Sequence, residues 1–149
     1  MEIMPQRFQN SEQAEAAYYQ ALRNADLDAM MNVWQEDAHI VCLHPFSERV
    51  LRGYPAVLEG WLHAFARQGP LQIQPSEVIR LISSDMAVHN GIEQLAHASE
   101  ALPLTTQSFT HVYRRTLDGW RMVLRHVSSL SERSPLAFDA DLDESGSLH

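Results

Sequence analysis

The residue best suited to acid–base chemistry in this sequence is a glutamate in an apolar stretch. Glu93 is flanked by Ile92 and Leu95. A carboxylate buried in such a stretch must accept hydrogen bonds or have its pKa raised, and a raised pKa is what a general acid or base near neutral pH requires. Glu93 is therefore a candidate catalytic residue. Two alternatives stay open: a glutamate here can pair with a nearby arginine or face solvent beside Gln94.

The histidines are the next candidates. His111 has an unperturbed pKa near physiological pH, so it can act as a base or donate to an oxyanion. A half-buried histidine bonded to a backbone carbonyl is the structural alternative. The eight histidines stand singly, with no two of them two to four residues apart and no short carboxylate–histidine motif. No metal site is therefore predicted.

Other chemistries find no support in the residue types. The sequence has no lysine, which excludes Schiff-base chemistry, and no glycine-rich phosphate loop or G-x-S-x-G motif. Its single cysteine, Cys42, lies in the apolar run 40–43 and is expected to be inert packing. No cofactor is expected.

Charge and hydropathy restrict the partners and the location. The net charge is -8, and all eleven cations are arginine. Arg114, Arg115, Arg121 and Arg125 form a local cluster that we expect to be a solvated face, so no nucleic-acid partner is predicted. No apolar run approaches the roughly 18 residues that would span a bilayer. No secretory signal is visible at the start of the sequence, so we expect a cytoplasmic protein without a membrane partner.

Three helices are predicted in the first half. Asn10-Ser11 caps a helix with an apolar stripe that includes Tyr18, and Asp26 caps a second, short helix that ends after Trp34. A short strand over 38–43 is followed by a loop to Gly53. Pro55 then opens a third helix that ends at Gly69, with one apolar face made of Val57, Leu58, Trp61, Leu62 and Phe65.

The second half changes to a period of two residues. Four long antiparallel strands are predicted over approximately 71–82, 86–97, 104–115 and 120–130, with turns between them. Three helices followed by a sheet is an α+β pattern. We expect one domain over 1–133 and a flexible acidic tail over 134–149.

Strand alternation predicts which side chains share the interior. In the last strand, His126 is expected to point inward with Met122 while Arg121 and Arg125 point outward, although a β-bulge would exchange these faces. The neighbouring strands group their side chains as His89 with Glu93, and Phe109 with His111 and Tyr113. Aromatic residues would line a pocket or fill it, namely Trp34, Trp61, Phe65 and Phe109.

Several short motifs now occur in a characteristic order. Tyr18 precedes Ala25-Asp26-Leu27, and His44-Pro45 precedes Trp61. Arg114-Arg115 precedes Asp118-Gly119-Trp120 and His126. Over roughly 11–130 this order resembles the SnoaL-like branch of the nuclear-transport-factor-like superfamily, and the closing strands are similar to the association domain of calcium/calmodulin-dependent kinases. The resemblance implies a cone-shaped, cystatin-like α+β roll: three helices on a strongly curved, mostly antiparallel sheet around a cavity, with the outer sheet face pairing with a second copy.

The resemblance also implies roles for individual residues. Tyr18 corresponds to the oxyanion tyrosine of ketosteroid isomerases, and His111 matches the position of their oxyanion-stabilising aspartate. Their carboxylate base is missing, and His44 is the nearest candidate, so the isomerase mechanism does not transfer.

The predicted function is a homodimeric domain that binds a small, partly apolar ligand. Its possible chemistry is cofactor-free acid–base isomerisation, dehydration or cyclisation, with Glu93, His111, Tyr18 and His44 as candidate catalytic residues. The ligand-binding candidates are Trp34, Trp61, Phe65, His89, Phe109, Tyr113 and His126. A non-catalytic association module is the alternative, because this fold does not choose its function.

Overall fold

The computed structural model describes residues 7–43, 49–97 and 105–130. It has three helices, α1 (Ser11–Asn24), α2 (Leu27–Val33) and α3 (Tyr54–Gln68). The six strands are β1 (Val41–Leu43), β2 (Val50–Arg52), β3 (Leu71–Ile82), β4 (Met86–His97), β5 (Thr105–Thr116) and β6 (Gly119–Ser129). The α+β class and the three N-terminal helices are thus confirmed. Strand β2 lies where a loop was predicted, and the acidic tail 134–149 lies outside the described residues.

Two of the three helices begin at a residue whose side chain caps the backbone. The side chain of Asn10 accepts a hydrogen bond from the Gln13 amide at the start of α1, and Asp26 accepts one from the Ala29 amide at the start of α2. Gly53, with a φ of +86°, precedes α3, whose first turn contains Pro55. The predicted caps at Asn10 and Asp26 are therefore confirmed at the starts of α1 and α2.

The strands form one sheet in the order β2-β1-β6-β5-β4-β3. All pairs are antiparallel except β1 with β6. The helices pack on one face, where Tyr18, Trp61 and Met122 are fully or almost fully buried. Strand β3 forms the free edge beyond β4. None of the helices in the described residues is long and apolar enough to cross a membrane.

A β-bulge in β6 overturns the predicted inward face of the last strand. Val112 pairs with Leu124 but Tyr113 pairs with Met122, so Val123 is the extra residue. Because side chains alternate with a period of two, one extra residue exchanges the two faces. Arg125 is consequently buried at 0% exposure, while His126 is exposed on the outer face. The prediction that His126 lines the interior and that Arg125 is solvated was wrong.

Two smaller expectations about exposure were also wrong. Arg121 is buried because its Nη1 donates to the Asn32 carbonyl at 2.6 Å and its Nη2 to the Asp118 carbonyl at 2.7 Å. Leu62 is 54% exposed on the outer side of α3. By contrast, Arg114 and Arg115 are exposed as predicted.

Gly91 of β4 provides a test of how closely the strands pack. An added Cβ would lie 2.9 Å from the Ser76 carbonyl oxygen, 3.0 Å from Phe109 Cε2 and 3.1 Å from Val78 Cα. Two of these atoms belong to the backbone and cannot rotate away. We expect Gly91→Ala to lower the free energy of unfolding by about 1–3 kcal/mol, measured by urea denaturation.

Gly60→Ala is the matched control. The nearest atom to its added Cβ is Leu51 Cδ1, the end of a flexible side chain, and alanine is the better helix former. We expect its free energy of unfolding to stay within about 1 kcal/mol of the wild-type value. Equal losses in the two variants would contradict this account of the packing.

Candidate functional site

A buried ion pair lies at the centre of the interior. Arg125 Nη1 donates to Glu93 Oε2 at 2.9 Å, and Arg125 Nη2 donates to Glu93 Oε1 at 2.8 Å. Both side chains are fully buried. The geometry is the two-pronged pairing of a planar guanidinium with a carboxylate, which is stronger and more directional than a single bond. The arginine partner considered in the sequence analysis is therefore present.

Two further donors complete the coordination of Glu93. The Tyr19 hydroxyl donates to Oε2 at 2.7 Å, and Gln107 Nε2 donates to Oε1 at 2.9 Å. Burial alone would raise the pKa of Glu93. The positive charge of Arg125 and the hydrogen bonds from Arg125, Gln107 and Tyr19 outweigh burial and hold the pKa of Glu93 below its ordinary value. Each carboxylate oxygen accepts two bonds. Glu93 is thus an ionised and saturated carboxylate, which is a poor arrangement for a general base.

His111 extends the network through Arg125 Nη1, which also donates to Glu93. Its Nε2 lies 2.7 Å from Arg125 Nη1, and its Nδ1 lies 3.0 Å from the Tyr113 hydroxyl. Arginine only donates, so Nε2 must be the acceptor and Nδ1 must carry the proton. Burial, together with the positive charge of Arg125, holds the pKa of His111 well below its ordinary value. His111 is therefore a neutral imidazole of one defined tautomer.

The ring of Tyr18 packs against the guanidinium of Arg125. Arg125 Cζ lies 5.1 Å from the centre of the Tyr18 ring. The ring centres of Tyr18 and His111 are 4.9 Å apart. Burial raises the pKa of Tyr18 well above its ordinary value, so its hydroxyl stays protonated. Among the described residues, neither the Tyr18 hydroxyl nor Arg125 Nε has a hydrogen-bond partner. The cluster therefore offers two unused donors.

Aromatic side chains fill the space around this cluster. The Trp61 ring centre lies 5.9 Å from that of Tyr18 and 5.5 Å from that of Phe65. Phe109 lies against His111, with ring centres 4.7 Å apart. Glu93, His111 and Tyr18 are each at 0% exposure. Three of the four aromatic residues predicted to line or fill a pocket, Trp61, Phe65 and Phe109, thus pack against or beside the polar cluster.

A second polar network joins α1 to the sheet. His89 Nε2 lies 2.8 Å from Ser11 Oγ, and His89 Nδ1 lies 2.8 Å from Glu15 Oε2. Glu15 also accepts a hydrogen bond from Arg80. The order hydroxyl, imidazole, carboxylate is that of a nucleophile activated by a base. Ser11, however, is only 1% exposed, so a substrate has no access to its hydroxyl, and the network acts as a tie between α1, β3 and β4.

The structure brings most of the predicted residues together, but not all of them. Tyr18, Glu93, His111, Tyr113 and Phe109 meet in one cluster, with Trp61 and Phe65 beside it. Four predicted residues lie elsewhere or outside the description. His89 belongs to the second network, and Trp34 pairs with Met122 at the end of α2. His126 is exposed on the outer face of the sheet, and His44 lies outside the described residues. The predicted catalytic and binding roles stay predictions.

The sequence analysis missed three partners of Glu93 and His111. Tyr19 follows Tyr18, which was assigned to the apolar stripe of α1, and no sequence pattern singled out Tyr19 itself. Gln107 shares the inward face of β5 with Phe109 and His111, so alternation could have included it. Arg125 was assigned outward because the bulge at Val123 has no signature in the sequence. Within the described ranges, no group of three histidine, cysteine or carboxylate side chains could hold a metal ion.

Burial of Cys42 agrees with its predicted packing role. The thiol is fully buried in β1. Burial raises its pKa to about 12, so it is not a reactive thiolate near neutral pH.

Comparison with known proteins identifies the family and the fold. The SnoaL-like domain family matches residues 12–132. No curated protein matches the chain. Among solved structures, the chain is similar to a Thiobacillus denitrificans protein named after a calcium/calmodulin-dependent protein kinase type II association domain. The two chains share 38% identity over 85% of this chain and 99% of the other, with a TM-score of 0.77.

More distant solved structures share the fold alone. A Streptomyces avermitilis protein of the nuclear-transport-factor-like family, named after a dehydratase, is 24% identical over 81% of this chain and 94% of its own, with a TM-score of 0.73. A Nostoc punctiforme protein with a cystatin-like fold is 12% identical over 88% of this chain and 99% of its own, with a TM-score of 0.68.

The central ion pair gives a prediction for stability. Glu93→Met leaves Arg125 buried without its counter-charge, and loss of one partner of a buried pair costs about 3–5 kcal/mol. In the double variant Glu93→Met/Arg125→Met no charge is left unpaired. We expect its free energy of unfolding to exceed that of Glu93→Met, measured by urea denaturation at pH 7.

The same pair predicts a dependence on pH. The pKa of Glu93 is lower in the folded protein than its ordinary value of 4.5, so its stabilisation is fully present above that value and is lost as the pH falls through the folded pKa. The double variant should therefore lose less stability in acid than the wild type. An equal or steeper loss in the double variant would show that other carboxylates dominate.

Proposed function

This chain belongs to the SnoaL-like domain family, and from that premise we propose that it binds a small, partly apolar molecule bearing an oxygen acceptor. The ligand would bind beside Arg125 and Tyr18. The observation that carries the proposal is the pair of buried donors, Arg125 Nε and the Tyr18 hydroxyl, that lack partners among the described residues. Buried donors are satisfied in almost all proteins by protein, water or ligand.

The cluster suits binding better than acid–base turnover. It holds a cation in Arg125 and a protonated hydroxyl in Tyr18, which both stabilise an acceptor oxygen. Its carboxylate, Glu93, is saturated, and the Nε2 lone pair of His111 is occupied by Arg125. A proton-abstracting enzyme needs a free base within reach of its substrate. We therefore propose a binding domain, and the catalytic roles predicted for Glu93, His111, Tyr18 and His44 become the alternative that a turnover assay tests.

The aromatic wall must move for this ligand to enter. Trp61 and Phe65 of α3 occupy the space beside Tyr18, and Phe109 closes the sheet side. A ligand that must displace packed rings associates more slowly than one that enters an open pocket. The proposal thus includes a small shift of α3 on binding.

We also propose a cytoplasmic location, because the cytoplasm is a reducing compartment suited to a free, buried cysteine such as Cys42.

Tyr18→Phe tests the binding site. Its hydroxyl has no partner in the described residues, so removing it should leave the thermal midpoint within a few degrees of the wild-type value. A ligand found in a thermal-shift panel of aromatic ketones and carboxylic acids should bind this variant about tenfold more weakly, because one hydrogen bond is lost. Titration calorimetry measures the two affinities.

Tyr54→Phe is the control for that experiment. Tyr54 is the first residue of α3, and its half-buried hydroxyl lies 3.5 Å from the Met31 carbonyl of α2. We expect it to keep wild-type affinity. Equal affinity of the ligand for the wild type and for Tyr18→Phe would contradict the proposed site. If the wild type converts a bound compound and Glu93→Gln does not, the enzyme alternative is favoured.

A second candidate function is association through the outer face of the sheet. Four apolar side chains are aligned across neighbouring strands on that face: Leu81 pairs with Val88, Val88 with Val112, and Val112 with Leu124. Leu81 is 67% exposed. The helices pack on the opposite face, so no helix of the described residues covers this apolar row. The relative named after an association domain supports the same candidate. Both functions are compatible with a homodimer, which we propose as the working assembly.

Leu124→Glu tests the dimer. A carboxylate within the apolar row would have to be desolvated in the interface, so we expect the dimer to dissociate at micromolar concentration in sedimentation velocity. Leu62→Glu, on the exposed side of α3, introduces the same charge away from the row and should leave the dimer intact. A monomeric wild type, or equal behaviour of the two variants, would remove this candidate.

A further inference from the structure

A groove of about 470 Å³ lies at the free edge of the sheet, away from the buried cluster. It is formed by the end of α1, the start of β3 and the end of β4. The lining residues are Arg23, Pro70, Leu71, Gln72, Ile73, Gln74, Gln94 and Ala96. Its volume lies within the range of small-molecule sites. Neither the family match nor the proposed interior site assigns it a role.

The backbone of β3 faces this groove. The Ile73 carbonyl accepts hydrogen bonds from Arg23 Nε at 3.3 Å and Arg23 Nη2 at 3.1 Å. Since this carbonyl bonds a side chain of α1, the Ile73 backbone faces away from β4. Two residues on, in the same orientation, Pro75 has no amide hydrogen to offer. The edge can therefore pair with only a short extended group, over Leu71–Ile73.

Charge selects the kind of ligand. Among the lining residues, all of which lie in the described part of the chain, Arg23 is the only charged one. Its guanidinium has five N–H groups, and only Nε and one Nη2 hydrogen are directed at Ile73. The amides of Gln72, Gln74 and Gln94 add both donors and acceptors. A positive groove without carboxylates in a chain of net charge -8 favours an anion.

We propose that this groove binds a small carboxylate that carries an amide group, as in an N-acyl amino acid or the C-terminus of a peptide. Arg23 Nη1 pairs with the carboxylate, and the amide bonds the edge of β3 and the glutamine side chains. Leu71 and Ile73 are almost fully buried, so apolar contact with the ligand comes also from Pro70 and Ala96, and the ligand is small. This inference is independent of the interior site, because Arg23 and Arg125 belong to different elements.

The test is a titration of the ¹⁵N-labelled protein with N-acetylalanine, followed by nuclear magnetic resonance. We expect saturable shifts of the side-chain amides of Gln72, Gln74 and Gln94 and of Arg23 Nε–H. N-acetylalaninamide, which lacks the negative charge, should bind at least tenfold more weakly than N-acetylalanine. Arg23→Gln and Gln94→Glu should each weaken N-acetylalanine at least tenfold. Arg67→Gln, an exposed arginine in the last turn of α3 and outside the groove, should have no effect.

The outcomes separate cleanly. No saturable shift at millimolar N-acetylalanine, equal binding of the uncharged amide, or unchanged binding by Arg23→Gln would each overturn the proposal. Gln94→Glu keeps the test valid if Arg23→Gln proves unstable, since Gln94 is an exposed residue. Acetyl-tetraalanine distinguishes the two sources of this chemistry: tighter binding than N-acetylalanine assigns the groove to peptide termini, and equal binding assigns it to free small carboxylates.

Discussion

The carboxylate of Glu93 is buried together with the guanidinium of Arg125, and this pair constrains the rest of the interior. Two charges removed from water are tolerated only if their remaining hydrogen-bonding positions are filled. Tyr19 and Gln107 fill those of Glu93, and His111 accepts from Arg125. The neutral state of His111 follows from the same requirement, because a second cation beside Arg125 would be repelled.

The pair also accounts for the irregular geometry of β6. Met122 and Arg125 both face the helices, although an uninterrupted strand would turn residues three apart to opposite faces. The extra residue Val123 allows both to point inward. One bulge thus keeps the apolar contact of Met122 with the core and places Arg125 against Glu93. It also moves His126 to the outer face, next to Thr110 of β5.

The parts of the fold that could be predicted are those in which a local rule acts alone. Asn10 and Asp26 cap helices through their own side chains, and the alternation of Phe109, His111 and Tyr113 follows from one regular strand. The site could be predicted only in part. The prediction for Arg125 was wrong because the bulge at Val123 depends on a tertiary contact, the ion pair with Glu93, and not on the residue type at position 123. The pairing of Tyr19 with Glu93, 74 residues apart in the chain, likewise depends on how α1 packs.

The polar contacts indicate which helix could move to admit the proposed ligand. Helix α1 is tied to the sheet through both networks, since Glu15 bonds His89 and Tyr19 bonds Glu93. Displacing α1 would leave two buried carboxylates short of donors, which is costly. Helix α3 instead meets the cluster through the rings of Trp61 and Phe65. A shift of these rings leaves no charge unpaired, so the ligand proposed above would reach Arg125 and Tyr18 from the side of α3.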